Sequence, residues 1–317
     1  MEGSNKMNRL IGQYKGELPG PLLICFGGMH GNEPAGVKAL EKMFEMLEKE
    51  PESNPGFVFS GSIVGMIGNL SAYQIGKRFI DCDLNRQWTD DNVKRIMNSE
   101  KGSLKNEALQ IFEILTIVDQ SIKEYQPSKI VVLDLHTTSS QGGIFSIPSG
   151  DQESLKIALG LHAPVITGML EGIKGTTLHY FNQRNFDIPI TAVTFESGQH
   201  NEELSIHRAI AGITNCMRTI GNVSADHIEN KHDRILIEYS KDLPKVARLV
   251  DRHDIKNGDN FEMLPAYANF QKIKKGEILA TNRSGAIASS KDGLILMPLY
   301  QKQGEDGFFL VQEIEGY

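Results

Sequence analysis

The sequence predicts an α/β fold: a mainly parallel sheet covered by helices, followed by a smaller C-terminal all-β part. Three observations predict it. Short unbroken apolar runs alternate with amphipathic helices up to about residue 222, as strands buried on both faces require. After that point the texture changes to short apolar segments separated by Gly and Asp turns, which is an all-β signature. The 317 residues, 40% of them hydrophobic, suffice for one large domain with a smaller companion.

In chain order, PLLICF (residues 21–26) is a buried strand closed by Gly27 and Gly28. A helix follows, with Val37, Leu40, Phe44 and Leu47 at helical spacing, Asn32 as its cap and Pro34 in its first turn. SIVGMIG (62–68) is the next strand, and Leu104, Ala108, Ile111, Leu115, Val118 and Ile122 mark a long amphipathic helix. KIVVLDL (129–135) and ITAVTFE (190–196) are two further strands. A helix burying Ile206, Ile210, Ile213 and Met217 completes the first unit. RILIEYS, EILATN, GAIAS, DGLILMPLY and GFFLVQEI are the strands of the second. The boundary is expected near residues 222 to 228, dividing 1–222 from 223–317.

A net charge of -7 argues against a nucleic-acid partner, which calls for a basic stripe or patch. Cys25, Cys82 and Cys216 are too few and too scattered for a disulfide framework. The N-terminus has no apolar export segment, and no apolar run is long enough to cross a membrane. A cytoplasmic protein with no membrane partner is expected.

Four constellations carry chemistry. In Gly27-Gly28-Met29-His30-Gly31-Asn32-Glu33, at the carboxyl end of the first strand, His30 and Glu33 are three apart in a glycine-rich turn and can converge on one ion. A single HxxE pair also occurs on many solvated helices. In Asp134-Leu135-His136-Thr137-Thr138, at another strand end, His136 could be a third ligand; taken alone, it reads as a satisfied strand-end histidine. Two histidines and one carboxylate are a donor set of catalytic zinc, with a position left for water.

Arg78 to Arg86 form the third. Arg78, Asn85 and Arg86 place two guanidiniums and an amide within nine residues, suited to gripping a carboxylate and polarising a carbonyl, although solvated charged loops are common. Asp81 and Asp83 would orient the arginines or a ligand histidine. The fourth is Glu196, a carboxylate that ends a buried strand and is the natural general base. The other histidines, His162, His179, His200, His207, His227, His232 and His253, have no ligand-like spacing and read as surface or packing residues.

GGMHGNE, RFIDCDLNR, DLHTT and the late glutamate, in this order, resemble the aspartoacylase and succinylglutamate desuccinylase family, relatives of the zinc carboxypeptidases. The resemblance runs from about Leu22 to the C-terminus, where MLPAYANFQKIKKGEILAT looks like the family's β domain. It implies a zinc carboxypeptidase-like, mainly parallel mixed sheet flanked by helices, with a C-terminal β domain that narrows the entrance. One Zn²⁺ per chain would be held by His30, Glu33 and His136. Arg78 would polarise the carbonyl, Asn85 and Arg86 would bind a carboxylate, and Glu196 would be the base. Tyr180 and Arg184 stand four apart as a tyrosine and arginine do in aspartoacylases, where the arginine meets the substrate's side-chain carboxylate. The animal enzymes' C-terminal tyrosine has no counterpart in register; Tyr267 is nearby.

The activity implied is zinc-dependent release of an acyl group from a small anionic N-acyl amino acid, such as N-acyl aspartate, N-acyl glutamate or an N-succinyl amino acid. The alternatives are a peptidase of the zinc carboxypeptidase type and a non-catalytic metal-containing binding protein.

Overall fold

The computed structural model of the protein describes residues 7–224, 231–256 and 258–316. Its strands are β1 (Leu10–Lys15), β2 (Leu18–Gly27), β3 (Ser60–Ile67), β4 (Ile130–Thr138), β5 (Phe145–Pro148), β6 (Val165–Thr167) and β7 (Ile190–Gln199). After them come β8 (Val246–Asp254), β9 (Glu262–Met263), β10 (Lys272–Ile273), β11 (Ile278–Asn282), β12 (Gly285–Ala288), β13 (Gly293–Leu296) and β14 (Asp306–Glu313). The α-helices are α1 (Ala35–Ser53), α2 (Leu70–Gln74), α3 (Asp90–Met97), α4 (Asn106–Tyr125), α5 (Gln152–Gly160), α6 (Met169–Gly172), α7 (Thr177–Tyr180), α8 (Glu203–Ile220) and α9 (Lys231–Ser240).

Eleven of these strands form one sheet in the order β1, β3, β2, β4, β7, β5, β6, β8, β14, β13, β10. Its centre is parallel: β3, β2, β4 and β7 run the same way. Helices cover both faces, and a three-stranded sheet of β12, β11 and β9 stands beside it.

The alternation of the strands explains the two cores. Leu23, Leu133 and Val193 point to one face, where they meet Leu40, Phe44, Ile210 and Ile213 of α1 and α8. Ile24, Val132 and Ala192 point to the other, toward Ile111, Ile114 and Val118 of α4. With successive side chains on opposite faces, the next positions on this second face are Asp134 and His136 on β4 and Thr194 and Glu196 on β7. The face that is apolar along most of each strand therefore turns polar at the carboxyl ends, where open α/β sheets place their sites.

RILIEYS, expected as a strand, is part of helix α9. Its burial repeats every four residues: His232 and Leu236 are buried, whereas Ile235 and Ile237 are 41% and 49% exposed. The stripe that packs toward α8 is therefore the helical pair His232 and Leu236, while the β-branched Ile235 and Ile237 stay on the outer side. Asn32 does not cap α1; Pro34 is the N-cap, without a side-chain hydrogen bond. The Asn32 amide donates instead to Gln301 Oε1 at 2.8 Å. Part of the expected boundary and His227 lie outside the described residues.

Candidate metal centre and active site

The loop between β2 and α1 is shaped by close packing. Gly28 has φ +66, a backbone that glycine adopts without strain. A Cβ on Gly31 would lie 2.2 Å from the Ala72 carbonyl carbon, so only glycine lets His30 and Glu33 turn back over the sheet. His30 Nδ1 is 2.8 Å from Glu33 Oε1, and His136 Nδ1 is 3.1 Å from Glu33 Oε2. One donor atom from each of the three residues lies within 4.8 Å of the other two, and all three residues are buried.

These residues fit a divalent cation. The outer nitrogen of each imidazole faces a carboxylate: His30 Nε2 is 3.1 Å from Asp83 Oδ1, and His136 Nε2 is 3.1 Å from Asp134 Oδ2. The second contact is a close charge approach rather than an aligned hydrogen bond, since His136 Nε2 has no hydrogen-bond partner. Carboxylates behind the outer nitrogens place the protons there and leave the inner lone pairs for a metal. Burial opposes charge on Glu33, but His30 and His136 hold its carboxyl well below the usual range. Burial likewise opposes charge on His136, but Asp134 and Glu33 raise it well above the ordinary imidazole value. Two carboxylates around one imidazole favour positive charge at this point, whether proton or metal.

Around the triad, Arg78 donates to Asp83 Oδ2 from Nε at 3.2 Å and from an Nη at 3.0 Å. Burial works against its charge, but Asp83 and Glu33 hold it above the usual arginine range. Asp83 thus aligns His30 and Arg78 together. Asp81 does not join it: its carboxylate accepts from Asn106 on the exposed side of the loop. Glu196 lies beside His136 in register, buried, with Oε2 lacking a hydrogen-bond partner. Burial, with Glu33 and Asp134 adding to it, pushes its carboxyl up to about 8 against the pull of His136 and Arg78.

One cavity collects His30, Glu33, Arg78, Asn85, Arg86, His136 and Glu196. Tyr180 and Arg184 are not in its lining. Tyr180 packs on Trp88, Phe181 and Phe186. Arg184 is exposed, its Nε 3.4 Å from Asn182 Oδ1. Tyr267 donates its hydroxyl to Glu277 and is not in the cavity lining. Asn85 Oδ1 accepts from the Thr177 N–H at 3.0 Å, joining this loop to α7.

Residues 19–220 match the succinylglutamate desuccinylase/aspartoacylase catalytic domain. The chain belongs to this family. A probable aspartoacylase of Nostoc sp. is 30% identical over 187 residues, 56% of this chain and 57% of that protein. A succinylglutamate desuccinylase of Pseudomonas paraeruginosa is 24% identical over 280 residues, 83% of this chain and 74% of that protein. For a probable aspartoacylase of Prochlorococcus marinus the match spans 42% of the relative, so some relatives are aligned over about half their length. Among solved structures, an ectoine utilization protein from Ruegeria pomeroyi superimposes with TM-score 0.65 at 15% identity, covering 95% of this chain and 87% of that one. The succinylglutamate desuccinylase from Vibrio cholerae gives 0.62 at 17% identity, covering 93% and 82%. These likenesses establish the fold: the family's mixed sheet, with helices on both faces and a small C-terminal sheet.

Sequence reasoning missed four groups at or beside this cavity. His200, read as a surface or packing residue, bonds through Nδ1 to the Thr137 hydroxyl at 2.7 Å. Thr137 in turn gives its N–H to Glu33 Oε2 at 3.0 Å. The signal was that His200 follows directly on the strand that carries Glu196. Thr177 bonds Asp134 through its hydroxyl at 2.5 Å. Gln301 and Asp306 come from the C-terminal part and line the cavity; no local pattern marks them.

Proposed function

We propose that the protein is a metal-dependent deacylase, with zinc as its ion, that hydrolyses the amide bond of a small N-acyl amino acid. The observation that carries this reading is the meeting of His30, Glu33 and His136 at one buried point with Glu196 beside it and Arg78 aligned by Asp83. A divalent ion held by His30, Glu33 and His136 would supply Lewis acidity toward water and the acyl carbonyl.

The chain's own groups then divide the work. Glu196 takes a proton from the attacking water and returns it to the amine nitrogen as the C–N bond breaks. Its buried carboxyl, with Oε2 unengaged, is placed to exchange a proton near neutral pH. The Arg78 guanidinium donates to the carbonyl oxygen as negative charge develops there. Asn85 and Arg86 hold the α-carboxylate and so fix the amide toward the triad. Tyr180 and Arg184 have no part in this reading.

The cavity volume of about 120 Å³, at roughly 10–15 Å³ per water-sized group, suits an acylated amino acid better than a peptide. We further propose that the part after residue 222 acts as the cover that sets this size, since Met297, Leu299, Gln301 and Phe309 form one wall. The test is a panel of N-acetyl and N-succinyl amino acids and short peptides, assayed with the zinc-loaded protein and with metal content measured. Turnover of acyl amino acids alone is expected; cleavage of peptides only, or no turnover at full zinc occupancy, would overturn the reading.

A further inference from the structure

The cavity contains its own acidic partner for Arg86. An Arg86 Nη donates to Asp306 Oδ2 at 2.6 Å, and both side chains are largely buried. The other Nη donates to the Asn85 carbonyl at 2.9 Å, and Glu305 Oε2 stands 3.7 Å from Nε. Arg252, itself paired with Asp254 at 2.6 Å, lies 3.7 Å from Asp306 Oδ1. Among the described residues that line the cavity, Arg78 and Arg86 are the arginines, no lysine joins them, and each arginine already faces carboxylates. The same lining carries the apolar side chains of Ile173, Leu178, Met297, Leu299 and Phe309.

We propose that Asp306 is a specificity-determining residue which, by neutralising Arg86, excludes substrates with a second carboxylate and selects acylated amino acids whose side chain is apolar. This rests on the deacylase reading above and narrows its substrate class. A single α-carboxylate can share the Arg86 donors with Asn85. Among the described residues of this lining a second one finds no unpaired cation, and it meets the carboxylates of Asp306 and Glu305. Burying a carboxylate without a partner is costly, and a like charge held in place discriminates by repulsion. Asp306 touches Arg86 rather than the reacting atoms, so its effect belongs in substrate binding.

The experiment compares kcat/KM for N-acetyl-methionine, N-acetyl-leucine, N-acetyl-aspartate and N-acetyl-glutamate in the zinc-loaded wild type, Asp306→Ala, Asp306→Asn and Asp306→Glu. The wild type should favour the apolar pair by about tenfold or more, the size of one charge-assisted contact. Asp306→Ala and Asp306→Asn should each shrink that ratio about tenfold, through a lower KM for the dicarboxylates rather than a higher kcat. Asp306→Glu should restore the wild-type preference. A purely structural role would move kcat for all four substrates together and leave the ratio alone. A wild-type preference for aspartate or glutamate, or an unchanged ratio in the variants, overturns the proposal while leaving the deacylase reading standing. The four amino acids are also run as their N-succinyl derivatives, where the same ratio is read if acetyl is not the acyl group accepted; absence of turnover for both sets in the wild type would instead sink the deacylase reading.

Discussion

His136 and Glu196 are direct register partners on the neighbouring parallel strands β4 and β7. The metal donor and the proton acceptor proposed above are thereby held in place by a strand ladder rather than by loops. Glu196→Gln keeps the shape of the side chain and removes its basicity. The variant should bind zinc as the wild type does and lose about a hundredfold to ten-thousandfold in kcat. Metal analysis with steady-state kinetics checks both halves; near-normal kcat would exclude Glu196 as the base.

His30→Ala and His136→Ala should each lose most of the bound zinc and nearly all activity, because neither leaves three donors. Full occupancy in both, measured on the purified variants, would show that the ligands lie elsewhere.

Asp83 touches both His30 and Arg78. Asp83→Asn should weaken zinc binding by about tenfold to a hundredfold, as loss of a carboxylate behind a ligand histidine does, and lower kcat as Arg78 loses its alignment. Competition with a chelator of known affinity measures the first effect. An unchanged zinc affinity would remove Asp83 from its supporting role.

The raised Glu196 carboxyl makes the metal-free protein sensitive to alkali. Its folded pKa of about 8 lies above the unfolded value of about 4.3, so its stabilising contribution is complete below the unfolded value. That contribution declines as pH rises and is gone once pH has passed the folded value. Glu196→Gln cannot ionise and escapes the decline. Urea midpoints of both proteins at pH 5, 7 and 9, with metal removed, should show the variant gaining on the wild type as pH rises. A difference that stays constant would contradict the environment described for this carboxyl.

Phe195, fully buried, packs against Gly212 of α8, where a Cβ would stand 2.7 Å from its ring. Phe195→Ala should cost about 3–5 kcal/mol of stability, read from denaturant unfolding. A loss below about 1 kcal/mol would mean that α8 and β7 collapse into the space.

Much of the fold was legible because local patterns coincide with it. The apolar runs became β2, β3, β4 and β7, and three of the four constellations stand at the carboxyl ends of β2, β4 and β7. What escaped were features decided at long range. RILIEYS has the composition of a strand, yet it lies in a helix whose buried positions, His232 and Leu236, are four apart. His200 gives no ligand spacing because it works through Thr137. The Arg86–Asp306 pair joins residues 220 positions apart, and nothing beside Arg86 in the chain signals that its charge is already answered.

The main sheet runs without interruption from β7, through β5, β6 and β8, to β14 and β13. Glu196 and Phe309 therefore belong to one hydrogen-bonded sheet. Parting the wall that bears Phe309 from β7 would cost ladder hydrogen bonds, so on the deacylase reading the width offered to a substrate is set by side chains of the lining such as Arg86 and Asp306, whose rotamer changes belong to the fast end of protein motion.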